Sequence, residues 1–310
     1  MKQADILNKF FDGDRLALAR MITKAENSYN SRDPVLDEVL KQSKGSYRIG
    51  VTGPPGAGKS TLLDRMVVQF RQDGKTVGVI AVDPTSPFTG GAILGDRIRM
   101  NSIQQDPGVF IRSMATRGSL GGLAHTTQEI ADVFDSFGKD IIFIETVGVG
   151  QSELDVVQAA DTILVVLVPE SGDSIQAMKA GLMEIADIFV LNKSDHEYAK
   201  RAYTDLNSVL HLNRSHNGWW PSIVQTVANT GEGFDKLFEQ LTKHKAYLED
   251  NNVLENKRRE RTHDRLKSKV NQKIFKQFWN PKKLVDFEQY IEEILNGKLS
   301  YNEALEKILK

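Results

Sequence analysis

The run Gly53-Pro54-Pro55-Gly56-Ala57-Gly58-Lys59-Ser60 matches G-x-x-x-x-G-K-[ST] at every fixed position. Residues of these types in this order can hold a polyphosphate. Glycines let successive backbone N–H groups converge on phosphate oxygens, and a helix that starts at the end of the loop points its positive pole at them. Lys59 has the reach for β- and γ-phosphates, Ser60 has the hydroxyl for Mg²⁺, and Thr61 continues the loop into the helix. The flanks argue against a glycine-rich turn that matches by accident. A β-prone run, Tyr47 to Thr52, precedes the loop, and Leu62, Leu63, Met66, Val67 and Phe70 follow at helical spacing. The expected ligand is a nucleoside phosphate.

Further residues point to which nucleotide and which reaction. Asn192-Lys193-Ser194-Asp195 follows the apolar run Ile188 to Leu191. The carboxylate of Asp195 can accept both the ring N–H and the 2-amino group of guanine. Adenine offers neither donor, so a buried Asp195 would be left unpaired by ATP. Val227-Ala228-Asn229, with Thr230 after it, lies where a backbone N–H could reach the guanine carbonyl. Ile141 to Ile144 is an apolar run ending in Glu145, which suits a carboxylate that reaches Mg²⁺ through water, and the Gly148 N–H is placed to sense the γ-phosphate. Asp83 ends the second strand candidate, expected beside the phosphate loop, and Asp96 lies on the loop after it. Both are candidates for the Mg²⁺ shell, with a structural aspartate as the alternative for each. Val149 stands where Ras-like proteins carry a water-orienting glutamine, and Gln151 is displaced from that place by two positions. Slow intrinsic hydrolysis, completed by a partner or a rearranged loop, is the expectation.

These residues need a scaffold, and the chain supplies one. Val77 to Val82, Val109 to Arg112, Ile141 to Glu145, Thr162 to Val168, Ile188 to Asn192 and Ser222 to Val227 are further strand candidates, rich in Val and Ile and nearly continuous, as strands buried on both faces are. Helical stretches between them imply βαβ crossovers. The expected fold class is α/β, a mostly parallel central sheet flanked by helices, with ligands at the carboxyl ends of the strands. Residues 1–44 read as a helical extension broken at Gly13 and at Asp33-Pro34, packed on the nucleotide domain at 45–246. Residues 247–310 read as a helical arm. Its segment 255–275 holds eight Lys/Arg against three acids, with Leu266, Val270, Ile274 and Phe278 spaced four apart. That pattern favours a solvated helix with one packed face, docked on the domain or on a second subunit, over an RNA-binding helix. Asn280-Pro281 breaks this helix, and Ser300-x-x-Glu303 is a capping box that opens the last one.

Bulk composition narrows the classes. The chain has 310 residues, 40% apolar and 26% charged, with a formal net charge of −1. Nothing in that balance asks for nucleic acid or an anionic membrane. The absence of cysteine removes disulfides, thiolate metal sites and cysteine nucleophiles. No run of 18 apolar residues occurs, and the first 30 residues lack a signal-peptide pattern, so a cytoplasmic protein is expected. His125 and His196, nearest the expected site, read as helix or solvated residues, and Trp219-Trp220 as a packed loop closing the sheet.

The set Gly53 to Thr61, Asp83-Pro84-Thr85-Ser86-Pro87, Gly90 to Arg97 and Glu145-Thr146-Val147-Gly148-Val149-Gly150-Gln151-Ser152-Glu153 resembles the metallochaperone-type P-loop GTPases. More narrowly, with Gly13 to Arg20, Met114 to Leu123 and Ser171-Gly172-Asp173, it is similar to the MeaB/ArgK-type GTPases that chaperone adenosylcobalamin-dependent methylmalonyl-CoA mutase. The resemblance implies GTP binding and hydrolysis coupled to gated delivery of adenosylcobalamin and to protection of the mutase. It places Asp83, Asp96 and Glu145 around Mg²⁺, with Ser60 as a direct ligand. It makes Pro169 to Lys179 a third switch in which Asp173 and Lys179 sense the mutase, and it implies a homodimer through the C-terminal helices. Arg97, Arg112 and Arg117 are the candidates for an arginine assisting hydrolysis in cis. The rivals are a transport-system kinase of basic amino acids, a nickel-insertion GTPase, and a binding module that has lost hydrolysis. No acceptor-site motif supports the first, six scattered histidines without cysteine argue against the second, and intact Lys59, Ser60 and Glu145 against the third.

Overall fold

The computed structural model describes residues 3–27, 33–83, 103, 105–115, 120–146, 159–169, 181–212 and 218–309, with the side chains of Gln3, Asp83, Ala115, residues 120–124 and Leu212 outside that set. Seven strands, β1 (Tyr47–Thr52), β2 (Val77–Asp83), β3 (Val109–Ala115), β4 (Ile141–Thr146), β5 (Thr162–Leu167), β6 (Ile188–Leu191) and β7 (Ser222–Gln225), form one sheet in the order β3-β2-β4-β1-β5-β6-β7. Every pairing is parallel. β4 and β5 are buried at each position, which is what near-continuous Ile, Val and Leu runs require when helices cover both faces. All seven strands fall where the apolar runs predict them.

Helices α1 (Gln3–Phe11), α2 (Arg15–Asn27) and α3 (Pro34–Leu40) pack on one face together with α5 (Leu120–Phe137). Phe10, Leu18, Met21, Ile22 and Phe134 meet Ile80, Ile142 and Ile144 there, all fully buried. The other face is covered by α4 (Lys59–Gln72) and α8 (Phe234–Asp250), whose Leu62, Leu63, Met66, Leu237 and Leu241 join Ile49, Val51, Phe143 and Val166. A third cluster lies under α6 (Leu182–Ile185) and α7 (Ala199–Leu212), against Val165, Phe189 and Leu191. Each large side chain so buried contributes about 1.5–3 kcal/mol. The sheet is thereby a rigid platform, and its carboxyl edge is where loops can carry chemistry.

At the opposite edge, Lys139 precedes β4 and is 6% exposed, with Nζ donating to Gly108 O at 2.8 Å. Burial pushes its ammonium down to about 8, and the neighbouring Arg15 and Arg71 add to the effect. The unfolded lysine keeps its proton up to 10.5, so between about 8 and 10.5 the unfolded chain binds more protons than the folded one. Stability is therefore expected to rise as pH climbs through that window, by up to about 1.4 kcal/mol per pH unit. Urea unfolding from pH 7 to 10 should show the rise in the wild type and a flatter profile in Lys139→Met.

The chain divides into two units, Met1–Glu255 and Asn256–Lys310. Helix α9 (Val253–Phe278) leads into the second, followed by α10 (Pro281–Leu295) and α11 (Tyr301–Leu309). Asn280 caps α10 by accepting the Lys283 amide at 3.0 Å, with Pro281 in the first turn. The capping box at α11 is formed: the Ser300 amide donates to Glu303 Oε2 at 2.8 Å, and the Glu303 amide to Ser300 Oγ at 3.2 Å. The packed stripe expected on α9 is not packed within its own unit. Leu266, Val270 and Ile274 are 64%, 47% and 58% exposed, and the aromatic contacts of Trp279 with Phe278 and Phe287 lie at the far end of the helix.

Candidate functional site

β1 lies between β4 and β5, so the loop that leaves it at Gly53 opens at the centre of the carboxyl edge. Two glycines there have specific reasons. Gly53 has φ +141, and a Cβ on it would come within 2.1 Å of Val166 O on β5. Gly58, at φ +86, is the N-cap of α4, and a Cβ on it would lie 2.4 Å from Asn192 Nδ2. The loop is thus pressed onto the sheet and delivers the N-terminus of α4 to the cradle, where backbone amides and the helix dipole favour anions. Lys59 is buried, and its Nζ donates to Gly53 O at 2.7 Å and Pro54 O at 2.8 Å, which holds the ammonium across the rim of the loop.

Ser60 Oγ donates to Glu145 Oε1 at 2.7 Å. Glu145, 4% exposed, sits on β4 in register with Val51 of β1, so the carboxylate and the hydroxyl converge beside the cradle. Two oxygen donors at that spacing suit Mg²⁺, a hard cation that keeps several waters and takes few protein ligands besides phosphate oxygens. One residue further on, Thr146 Oγ1 donates to Thr52 Oγ1 at 3.0 Å, tying the ends of β4 and β1 together. Asp83 is not on the strand next to the phosphate loop: β4 lies between β1 and β2, because the chain places its fourth strand inside the second. Arg112 is held elsewhere, with Nε donating to Glu26 Oε1 of α2 at 2.7 Å and Nη2 to Glu26 Oε2. Asp96, Arg97, Arg117, Gly148, Val149, Gln151, Asp173 and Lys179 lie outside the described residues.

The residues expected on the base side surround Asn192, which is 2% exposed at the end of β6. Its Nδ2 donates to Ala57 O of the phosphate loop at 2.8 Å, and its Oδ1 accepts the Ala228 amide at 3.0 Å and Thr226 Oγ1 at 3.3 Å. Lys193 has φ +55, an uncommon backbone for a residue with a side chain, which turns the chain sharply after the strand. The Ser194 amide then donates to Thr226 O at 3.0 Å and its hydroxyl to Leu191 O at 2.6 Å. Asp195 follows and is exposed, against the expectation of a buried carboxylate, because the turn lifts it off the sheet. A base lying on it would supply the desolvation that the chain does not. The turn Val227 to Gly231 is closed by Thr230 and Gly231 amides on Val227 O at 3.1 and 2.9 Å. The structure therefore brings Lys59, Ser60, Glu145 and Asn192 together, with Ala228 and Asn229 attached through Asn192 and the turn. His125 lies 3.8 Å from Glu129 Oε1 on its own helix. Trp219 closes the amino edge by donating its Nε1 to Asp187 O at 2.9 Å. Arg65 of α4, singled out by no motif, also reaches this region, with Nε on Ala228 O and Nη2 on Asn229 O. Its partners are carbonyls more than 160 residues away, a distance no local sequence pattern reveals.

A parallel sheet with this loop, its helix and an Asn-Lys-x-Asp turn defines a P-loop GTPase. The family model described as methylmalonyl Co-A mutase-associated GTPase MeaB matches residues 18–283, and the chain belongs to that family. A Pyrococcus horikoshii protein is 46% identical over 309 residues, covering 99% of this chain and 97% of its own. GTPase ArgK of Escherichia coli is 32% identical over 317 residues, with 98% and 95% covered. Among solved structures, a crystal structure of an LAO/AO transport system kinase superposes with a TM-score of 0.74 at 27% identity, covering 99% of this chain and 96% of that one. Among the described residues no helix is long and apolar enough to cross a membrane.

Proposed function

We propose that this GTPase is a metallochaperone that gates adenosylcobalamin delivery to a cobalamin-dependent acyl-CoA mutase, with methylmalonyl-CoA mutase as the first candidate, and protects that enzyme from inactivation. The observation that carries the reading is the physical continuity from Glu145 through Ser60 and the loop to Asn192, in a chain of the MeaB family. GTP would lie with its phosphates in the loop Gly53 to Ser60 and its base between Asn192-Lys193-Asp195 and the Ala228-Asn229-Thr230 turn. Lys59 neutralises charge on the transferred phosphoryl group, and the amides at the start of α4 hold the oxygens that gain charge. Ser60 and Glu145 would hold Mg²⁺, which supplies electrostatic stabilisation of the phosphates when bound. The remaining shell, Asp83 and Asp96, and the elements that sense the γ-phosphate, Gly148 and Gln151, complete the reading. With Val149 in the place of a water-orienting glutamine, hydrolysis by the chain alone is slow.

The expected partner contacts are the mutase, through the switch at Pro169 to Lys179, and a second copy, through the exposed stripes of the C-terminal helices. A cytoplasmic location follows from the same reading. Pull-down with methylmalonyl-CoA and isobutyryl-CoA mutases, coupled to single-turnover GTP hydrolysis with each, tests the assignment. Stimulation by one mutase supports it, and a fast rate from the isolated protein with no response to either would sink it. The structural neighbour described as a transport system kinase favours one other reading, a kinase. That protein would show acceptor-dependent nucleotide consumption and stoichiometric phosphoproduct.

Glu145→Gln checks the Mg²⁺ assignment. Losing the charge that orients Ser60 is expected to slow hydrolysis about 10–100-fold. Raising Mg²⁺ should recover part of the loss. A rate indifferent to both substitution and metal would remove Glu145 from the site.

A further inference from the structure

Arg65 projects from α4, six residues past Lys59, and spans to the turn on the base side of the site. Its Nε donates to Ala228 O and its Nη2 to Asn229 O, a two-pronged contact that fits the planar fork of a guanidinium and that one ammonium cannot copy. The turn is shaped to receive it. Gly231 has φ +92, and a Cβ there would approach Arg65 Nη1 to 2.8 Å, while the Phe234 ring lies 6.0 Å from the guanidinium carbon.

The consequence lies in the opposite edge of the same peptide. In a trans peptide the carbonyl of one residue and the amide of the next point in opposite directions. Drawing Ala228 O toward α4 therefore aims the Asn229 N–H away from it. The amides of Ala228, Thr230 and Gly231 bond within the protein, to Asn192 Oδ1, Val227 O and Val227 O. Among the described residues, no backbone carbonyl takes the Asn229 amide. That donor is held in one orientation by a side chain that also belongs to the helix opening at the phosphate cradle.

We infer that Arg65 is a positioning residue for base recognition: it fixes the Ala228–Asn229 turn so that a backbone amide is presented to a purine carrying a carbonyl oxygen. The inference rests on the guanine reading of the site and adds a residue outside the motifs that carry it. Without the guanidinium, water can satisfy both carbonyls at this partly exposed place, so the turn loosens while the fold and the phosphate cradle persist.

The test compares GDP, ADP and inorganic pyrophosphate binding to the full chain by calorimetry, for wild type, Arg65→Met and Arg65→Lys, with thermal melts as a fold check. Two charge-assisted hydrogen bonds are removed, so GDP affinity should fall about 10- to 100-fold in Arg65→Met, with ADP and pyrophosphate changed less than about threefold. Arg65→Lys should fall between, since it keeps the charge and loses the fork. Equal losses for all three ligands would overturn the proposal and leave Arg65 as a support of α4, and unchanged GDP affinity would overturn it too. A wild type with no preference for GDP over ADP would overturn the guanine reading together with the proposal. A wild-type preference that survives in both variants would overturn the proposal alone.

Discussion

Asp195→Asn is expected to exchange GTP for XTP as the preferred nucleotide. A carboxylate accepts two hydrogen bonds, which guanine supplies from its ring N–H and its 2-amino group. Xanthine keeps the ring N–H but carries a carbonyl where guanine has the amine, so it would set an oxygen against the Asp195 carboxylate. An asparagine amide accepts from the first group and donates to the second. Hydrogen bonds to a charged group contribute about 1.5–3 kcal/mol each, so GTP affinity should fall by about two orders of magnitude. XTP should gain by a comparable factor and ATP should gain little. Because Asp195 is exposed, the substitution should leave the melting temperature unchanged, and the altered affinities then report recognition rather than folding. Competition of GTP, XTP and ATP for the purified variant decides it. A variant that still prefers GTP would remove Asp195 from the base site.

The second large effect is expected at Gly53, with Gly56 as its internal control. Both have positive φ, +141 and +80, and both become Ala with the same single atom. At Gly56 nothing among the described residues lies within 4 Å of the new Cβ, so the cost is backbone strain, about 1–2 kcal/mol. At Gly53 the Cβ would meet Val166 O at 2.1 Å and Val166 C at 3.0 Å, which are backbone atoms of a fully buried central strand. A flexible side chain could swing aside, but β5 is bonded to β1 and β6 and cannot. The loop must lift instead, at a cost of about 3 kcal/mol or more, and its amides leave their common focus. Gly53→Ala should therefore lose detectable GTP binding and melt several degrees lower, whereas Gly56→Ala should keep binding within an order of magnitude. Similar behaviour of the two variants in calorimetry and thermal melts would show that close approach to β5 is not what the cradle needs.

The strands were legible because burial on both faces leaves a continuous apolar record, and Ile141 to Glu145 or Thr162 to Val168 allow no other period. The capping box at Ser300 and Glu303 was legible for the same reason that it works, since both partners lie within one turn. The strand order was not. Runs of Val and Ile do not say which run lies beside which, so β4 between β1 and β2, and with it the place of Asp83, had to come from the fold. Asp195 was expected to be buried because a desolvated carboxylate would reject adenine, yet a single positive φ at Lys193 turns the chain from buried Asn192 to an exposed Asp195 within three residues. Arg65 was invisible because its partners are main-chain carbonyls, which every residue possesses. The stripe on α9 was legible as an apolar face, but the surface that covers it was not, for periodicity records a face and not its partner.

Asn192 joins Ala57 of one loop to Ala228 of the other through a single buried amide group. A ligand half that tightens either loop restrains the Asn192 side chain, and the other loop inherits part of that restraint. Nucleoside and polyphosphate would then be felt as one chelating guest, with each half lowering the entropy still to be lost when the other arrives. Linkage makes this coupling reciprocal. Loss of the terminal phosphate would loosen the grip on the base, and the identity of the base would in turn bear on how tightly the phosphates are held.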